Sequence, residues 1–300
     1  MGVNTICPIL APWAIFQGVK LMAKYQIMHS VGLGAFQLVF LCLIILLWDK
    51  ELKIVLFQYV LSSWLVLFLG IWMWGRQPFF QKTKKLSMPA GAWGSALPLF
   101  CMTCFDLTLW WCGQIFLGIW KSSNEVAIYS AAIRTAMLTT FVLTAINGVI
   151  APKFAQIFKH GNHKELKRMS IWSTRIMLIC CSPILIIFLI FPTHLLGLFG
   201  QEFTVGANAF IILTIGQFIN VSTGSVGLLL NMTGKENLSL ISTAAAAIAM
   251  IALCFFLIPK YGFLGASIAQ ASSLSIQMTL NTFFVKKELG FIPMNIFSKV

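Results

Sequence analysis

Long apolar stretches alternate with short polar gaps along most of the chain. Eight of them, at residues 31–48, 54–74, 91–114, 127–150, 172–196, 206–229, 238–258 and 262–284, approach the roughly 20 residues a helix needs to cross about 30 Å of hydrocarbon. A ninth, poorer segment at 6–22 is interrupted by Pro8 and Pro12 and ends among Lys20 and Lys24. None of the stretches alternates polar and apolar residues with the two-residue period of a barrel strand. The pattern therefore predicts an all-α, polytopic membrane helical bundle.

Composition and charge sharpen that expectation. With 59% hydrophobic and 10% charged residues, the chain cannot clothe a water-soluble globule, so lipid is its solvent. Of 21 basic residues, fifteen fall in one set of alternating gaps: Lys20, Lys24, Arg76, Lys82, Lys84, Lys85, Lys153, Lys159, Lys164, Lys167, Arg168, Lys235, Lys286, Lys287 and Lys299. The other set holds Lys50, Lys53, Lys121 and Lys260. This is the positive-inside bias, which puts the first set and the C-terminus in the cytoplasm and makes the net charge of +13 an orientation signal. Nucleic acid is excluded as a partner, because binding it explains neither the spacing nor the apolar stretches.

The remaining chemistry is sparse. Most of the eight cysteines lie in apolar segments and read as free thiols; Cys101 and Cys104 form a CxxC with no second pair or ligating histidine nearby. His160 and His163 form an HxxH flanked by Lys159 and Lys164, and no carboxylate or thiol cluster completes a metal site. No phosphate-binding loop, nucleophile elbow or zinc-protease signature occurs, and the acidic residues do not cluster. An enzyme, a cofactor and a metal are therefore not expected. The N-terminus shows no basic region followed by a cleavage site, so no removable leader is expected either.

A faint internal echo relates residues 17–48 to 227–259, each a span end, a short basic gap and a long apolar helix. The offset of about 210 residues suggests two parallel lobes, with about 120 residues, roughly three helices, wanting at the front of the first. The expected organisation is a remnant of an N-terminal transmembrane lobe at 1–88, a six-helix C-terminal lobe at 89–288 and a cytoplasmic tail at 289–300.

Ionisable groups at membrane depth are costly and mark candidate sites. Arg175 lies within a turn of its span's cytoplasmic end and reads as an interfacial anchor. Asp106 and Arg134 fall at one level, about 12 and 10 Å in from the outer ends of consecutive spans at 1.5 Å per residue. They either pair as a salt bridge or border a polar cavity. Gln217, Asn220, Gly224, Gly227 and Asn231 share one narrow helical face, and Gln270, Ser273, Gln277 and Asn281 another. Both stripes suit tight interhelical packing or a hydrated lumen. Pro98 and Pro183 sit inside spans and are able to bend them.

Several motifs carry a family likeness. The run Ala127-Ile128-Tyr129-Ser130-Ala131-Ala132-Ile133-Arg134 is followed by Asn147 and by Ala151-Pro152-Lys153-Phe154-Ala155. Then come Leu198-Phe199-Gly200-Gln201-Glu202-Phe203, Gly216-Gln217-Phe218-Ile219-Asn220, Leu230-Asn231-Met232-Thr233-Gly234, Ile258-Pro259-Lys260-Tyr261-Gly262 and Gly265-Ala266-Ser267-Ile268-Ala269. Together they resemble the polysaccharide flippases, the O-antigen or Wzx-type branch of the multidrug/oligosaccharidyl-lipid/polysaccharide exporter superfamily. The resemblance implies two six-helix lobes around a cavity that opens alternately to each face of the bacterial cytoplasmic (inner) membrane. It also implies a longer chain, with the first few helices lacking here. The substrate it implies is a polyprenyl-pyrophosphate-linked oligosaccharide, an O-antigen or exopolysaccharide repeat unit, with membrane lipid, a polysaccharide polymerase and glycosyltransferases as partners. Arg134 is then the cation for the pyrophosphate, Asn147, Gln217 and Asn220 meet sugar hydroxyls, and Asp106 orients Arg134 or couples transport to an ion. The alternatives are a multidrug cation antiporter of the same superfamily and an integral-membrane envelope-glycan transferase.

Overall fold

The computed structural model describes residues 92–293, together with Leu61, Trp64 and Phe68, three exposed helical positions. The chain divides into two compact units, Met1–Met88 and Pro89–Val300. The stretches expected at 6–22, 31–48 and 54–74, and residues 294–300 of the tail, lie outside the described residues apart from those three positions.

Among the described residues every regular element is helical. The elements are α1 (Ala92–Trp120), α2 (Ser123–Ala136), α3 (Thr139–Lys159), α4 (His163–Ile190), the short α5 (Pro192–Gly197), a single 3-10 segment (Gln201–Gly206), α6 (Ala207–Thr223), α7 (Val226–Met232) and α8 (Glu236–Leu289). Among the described residues, five helices are long and apolar enough to cross a membrane. At 1.5 Å per residue the 54 residues of α8 would extend about 80 Å, more than twice a hydrocarbon core. The helix turns at Gly262, whose φ of 56° and ψ of −132° are non-helical, so it supplies two crossings, a first arm before Gly262 and a second arm after it.

The six expected crossings of this unit are present with altered bounds. The stretch 91–114 continues to Trp120 because residues 115–120 are again apolar. The stretch 127–150 starts four residues earlier, where Ser122 caps α2 by accepting the Glu125 N–H, and breaks at Met137–Leu138. There the Thr139 and Thr140 hydroxyls donate to the carbonyls of Ala136 and Met137, and backbone bonds shorten to three residues. Such back-bonding competes with the α-helical ladder and bends it. The stretch 172–196 begins as a helix at His163, capped by Asn162, ends at Ile190 and passes its last residues to α5. The stretch 206–229 unwinds at Gly224, between α6 and α7. Gly224 has φ of 71°, and a Cβ there would overlap the Thr174 Oγ1 of α4.

Alternation of the crossings collects Lys153, Lys159, Lys164, Lys167, Arg168, Lys235, Lys286 and Lys287 at one end of the lobe, the basic end, with Lys121 and Lys260 at the other. At the basic end Lys235 Nζ meets Glu288 Oε2 at 2.8 Å, tying the start of α8 to its finish.

α8 is the hub, packing against α1, α2, α6 and α7. Its small residues allow this closeness: Ala246, Ala247, Ala266 and Ala269 are buried with Leu109, Leu117, Tyr129 and Phe210 in the largest apolar cluster. Small-residue contacts of this kind bring helices together where lipid supplies no hydrophobic drive. A second cluster, around Phe154, Leu166, Val226 and Leu230, closes the basic end.

Candidate functional site

Arg134 stands in the last turn of α2 with an exposed side chain, although Ala131, Ala132, Ile133, Thr135 and Ala136 around it are buried. On the same open side, one and two turns earlier, lie the half-buried small residues Ser130 and Ala127. They leave room beside the guanidinium. The break at Met137–Leu138 also gives α2 a C-terminus at membrane depth, whose partial negative charge favours a cation in its last turn. Because α2 begins at Ser123, Arg134 is about 17 Å from the helix start, deeper than the bounds read from sequence imply.

Asp106 does not pair with Arg134. Lys235–Glu288 is the single ion pair among the described residues, and the Asp106 carboxylate bonds the side chain of Gln277 on the second arm of α8. Of the two arrangements open from sequence, the salt bridge is not formed. α1 turns Asp106 toward α8, while α2 keeps Arg134 on its open side. Gln277 in turn donates from Nε2 to Thr243 Oγ1 on the first arm at 3.0 Å, so Asp106 ends a polar relay across three crossings.

The three amide residues are already engaged within the lobe. Asn147 Oδ1, on α3, accepts the Ser225 hydroxyl at 2.5 Å, where α6 gives way to α7; its Nδ2 has no hydrogen-bond partner among the described residues. Gln217, 8% exposed, accepts at Oε1 from Asn220 Nδ2 at 3.3 Å, one turn along α6. Arg134 and these amides lie on different helices, and no hydrogen bond joins them among the described residues. The first stripe divides by level. Gly224 packs on Thr174, and Gly227 stands opposite Asn281, where a Cβ would come within 3.4 Å of its Nδ2. Close helix approach thus shapes this part of both stripes, while the Asn281 Oδ1 there has no partner.

Two features escaped the sequence. Glu125 reaches the turn in α8, where its Oε2 accepts the Phe263 N–H at 3.1 Å. The buried atoms Asn231 Oδ1, Gln270 Oε1, Ser273 Oγ and Asn281 Oδ1 have no hydrogen-bond partner. The stripes put these four residues on polar faces, but only the packing shows that their acceptors remain open.

Comparison with known proteins adds to this geometry. A family model described as "Polysaccharide biosynthesis protein" matches residues 5–158, and the MatE model matches residues 98–256. The chain is 28% identical over 166 residues to a protein of Shigella flexneri named as an O-antigen transporter, a match covering 55% of this chain and 38% of that one. It is 22% identical to Agl15 of Haloferax volcanii, named as a low-salt glycan biosynthesis flippase, over 58% of this chain and 37% of that one. It is 26% identical to the capsular polysaccharide biosynthesis protein CapF of Staphylococcus aureus, over 54% and 41% of the two chains. The backbone resembles a crystal structure of a MATE mutant, with a TM-score of 0.67 at 12% identity, covering 94% of this chain and 66% of that one. At that identity the likeness establishes the fold alone, that of an all-helical multi-pass membrane protein. The matches with these relatives span about two fifths of their lengths.

Proposed function

The chain belongs to the polysaccharide biosynthesis protein family of the multidrug/oligosaccharidyl-lipid/polysaccharide exporter superfamily, and from that premise we propose that it carries a polyprenyl-pyrophosphate-linked oligosaccharide across the cytoplasmic membrane. The obstacle is desolvation. A pyrophosphate and several sugars lose their water on entering hydrocarbon, and a protein path must replace it. Arg134 supplies the planar, charge-assisted bonds that phosphate oxygens require. Its exposure on the open side of α2, with no carboxylate paired to it among the described residues, is the observation that carries this reading.

Asn147, Gln217 and Asn220 meet sugar hydroxyls through the donors and acceptors their internal bonds leave over. Asp106 couples the cycle to an ion, and transport proceeds by alternating access. The O-antigen, glycan and capsular names of the relatives support a surface-polysaccharide repeat unit as cargo.

The test places the whole chain in vesicles with a fluorescent polyprenyl-pyrophosphate oligosaccharide and follows its transfer with an impermeant quencher. Losing the guanidinium forfeits charge-assisted bonds worth about 1.5–3 kcal/mol, so Arg134→Ala slows transfer roughly 10- to 100-fold, and Arg134→Lys retains part of it. Unchanged transfer by Arg134→Ala overturns the role.

The MatE match and the MATE backbone favour a second reading, a multidrug cation antiporter. In that case Asp106 is the exchange site, and Asp106→Asn abolishes efflux of cationic dyes while Arg134→Ala leaves it intact.

A further inference from the structure

Two of the orphaned atoms, Asn231 Oδ1 and Asn281 Oδ1, lie on a file of polar side chains between the basic end and Asp106, whereas Gln270 and Ser273 stand farther from that end. On the first arm of α8, Ser239 and Thr243 are one turn apart; on the second arm, Gln277 and Asn281 are likewise. Gln277 joins Thr243 to Asp106 through its amide. One turn nearer the basic end, Ser239 and Asn281 converge over Gly227 of α7, where a Cβ would come within 4.0 Å of the Ser239 Oγ and 3.4 Å of the Asn281 Nδ2. Asn231, four residues beyond Gly227, continues the same side of α7 to the turn at Thr233–Lys235.

This file is short of hydrogen-bond donors. Asn281 is 2% exposed, and its Oδ1 has no partner; neither has Asn231 Oδ1. Ser239 Oγ finds only the weak acceptor Met102 Sδ, at 3.5 Å, among its side-chain neighbours. A buried acceptor without a partner costs about 1–3 kcal/mol, and lipid offers nothing to bond. Internal water, which settles where two to four polar groups converge, removes that cost.

We propose that this file is hydrated and connects the Asp106 carboxyl group to the aqueous phase at the basic end, so that in this conformation Asp106 exchanges its proton with that side, one half of a coupling cycle. The inference rests on reading Asp106 as the coupling group. Hydronium entering past Asn231 passes its proton along bridging waters, which turns the carboxylate into the acid and leaves one water behind. The group that bonds Asp106 from α8 is Gln277, which is uncharged, and Arg134 of α2 forms no ion pair with Asp106. The proton therefore exchanges with water and not with a fixed cation.

Infrared spectroscopy of the full chain in lipid vesicles tests this. A protonated-carboxyl band that disappears in Asp106→Asn identifies the group. After a change from H2O to D2O buffer, that band shifts promptly in the parent protein. Replacing a file member with an apolar isostere removes one hydrogen-bonding station, so Asn281→Leu slows the shift roughly tenfold, the equivalent of about 1.4 kcal/mol. Asn231→Leu does the same if Asn281→Leu folds poorly, and Asn281→Ser restores fast exchange. Equal exchange rates in parent and both leucine variants overturn the hydrated file while leaving Asp106 as the coupling group. Absence of any Asp106 band across the acid and neutral range overturns both.

Discussion

Tyr129 controls how closely α2 approaches α1. Its side chain is fully buried, and a Cβ added to Gly113 would meet the Tyr129 Oη at 2.7 Å and Cζ at 3.1 Å. The hydroxyl also lacks a hydrogen-bond partner. Gly113→Ala is therefore overpacked and lowers stability by about 1–3 kcal/mol. Adding Tyr129→Phe removes the nearest obstructing atom and an unsatisfied hydroxyl together, so the double variant recovers much of the loss. Thermal unfolding of the four proteins in detergent measures the coupling, and strict additivity would contradict it. At this scale the sequence told much about which residues are unusual and little about what they touch. Asp106 and Arg134 are conspicuous because charge interrupts apolar runs. Their failure to pair was not legible, since the direction each side chain takes depends on the rotation of α1 and α2 against α8. Glu125 was invisible for a related reason: its partner is 138 residues away, and a carboxylate just inside a helix start looks like an ordinary dipole-compensating residue.

The turn in α8 shows an element held by a side chain from elsewhere. Gly262 adopts a positive φ of 56°, and a Cβ there would overlap the Glu125 carboxylate. The missing side chain thus admits the group that accepts the Phe263 N–H, one of the donors left open where a helix restarts. Glu125→Ala removes a hydrogen bond to a charged acceptor and destabilises the lobe by about 1.5–3 kcal/mol. Glu125→Gln keeps an acceptor of the same reach and loses less than half of that. Unfolding midpoints of the two variants decide the matter, and equal losses would mean that the acceptor contributes nothing. The two arms of α8 were readable as separate crossings because Pro259, Lys260 and Gly262 punctuate the run. The break between α2 and α3 was not, because residues 134–141 contain neither proline nor glycine. Its cause is the set of threonine hydroxyls bonded back to the backbone, together with the Cys181 thiol of α4 that approaches the Thr139 carbonyl at 3.9 Å, and those partners are fixed only by packing.

For the whole molecule, the uneven charge of the two ends sets a direction that the transport proposal and the hydrated file both depend on. Moving lysine and arginine through hydrocarbon during insertion is costly, and short basic loops are accordingly retained in the cytoplasm. The α3–α4 turn is short, and Lys159, Lys164, Lys167 and Arg168 beside it are all exposed, so this rule applies to it in full. At the opposite end Lys260 is exposed and Lys121 partly so. An amine reagent that cannot cross membranes is therefore expected to modify Lys121 and Lys260 in intact spheroplasts and to spare Lys159 and Lys164. Inverted vesicles exchange the two sets, which peptide mass spectrometry reads directly. The direction matters chemically, because in the proposed transport lipid-linked sugars assembled on the cytoplasmic side first enter from the basic end, the same side to which the proposed file connects Asp106. In the proposed scheme, a proton taken up from the opposite side is released toward the basic end as the empty carrier returns. Labelling with the two sets reversed would separate cargo entry from proton entry, and the coupling scheme would then require Asp106 to reach water by another route.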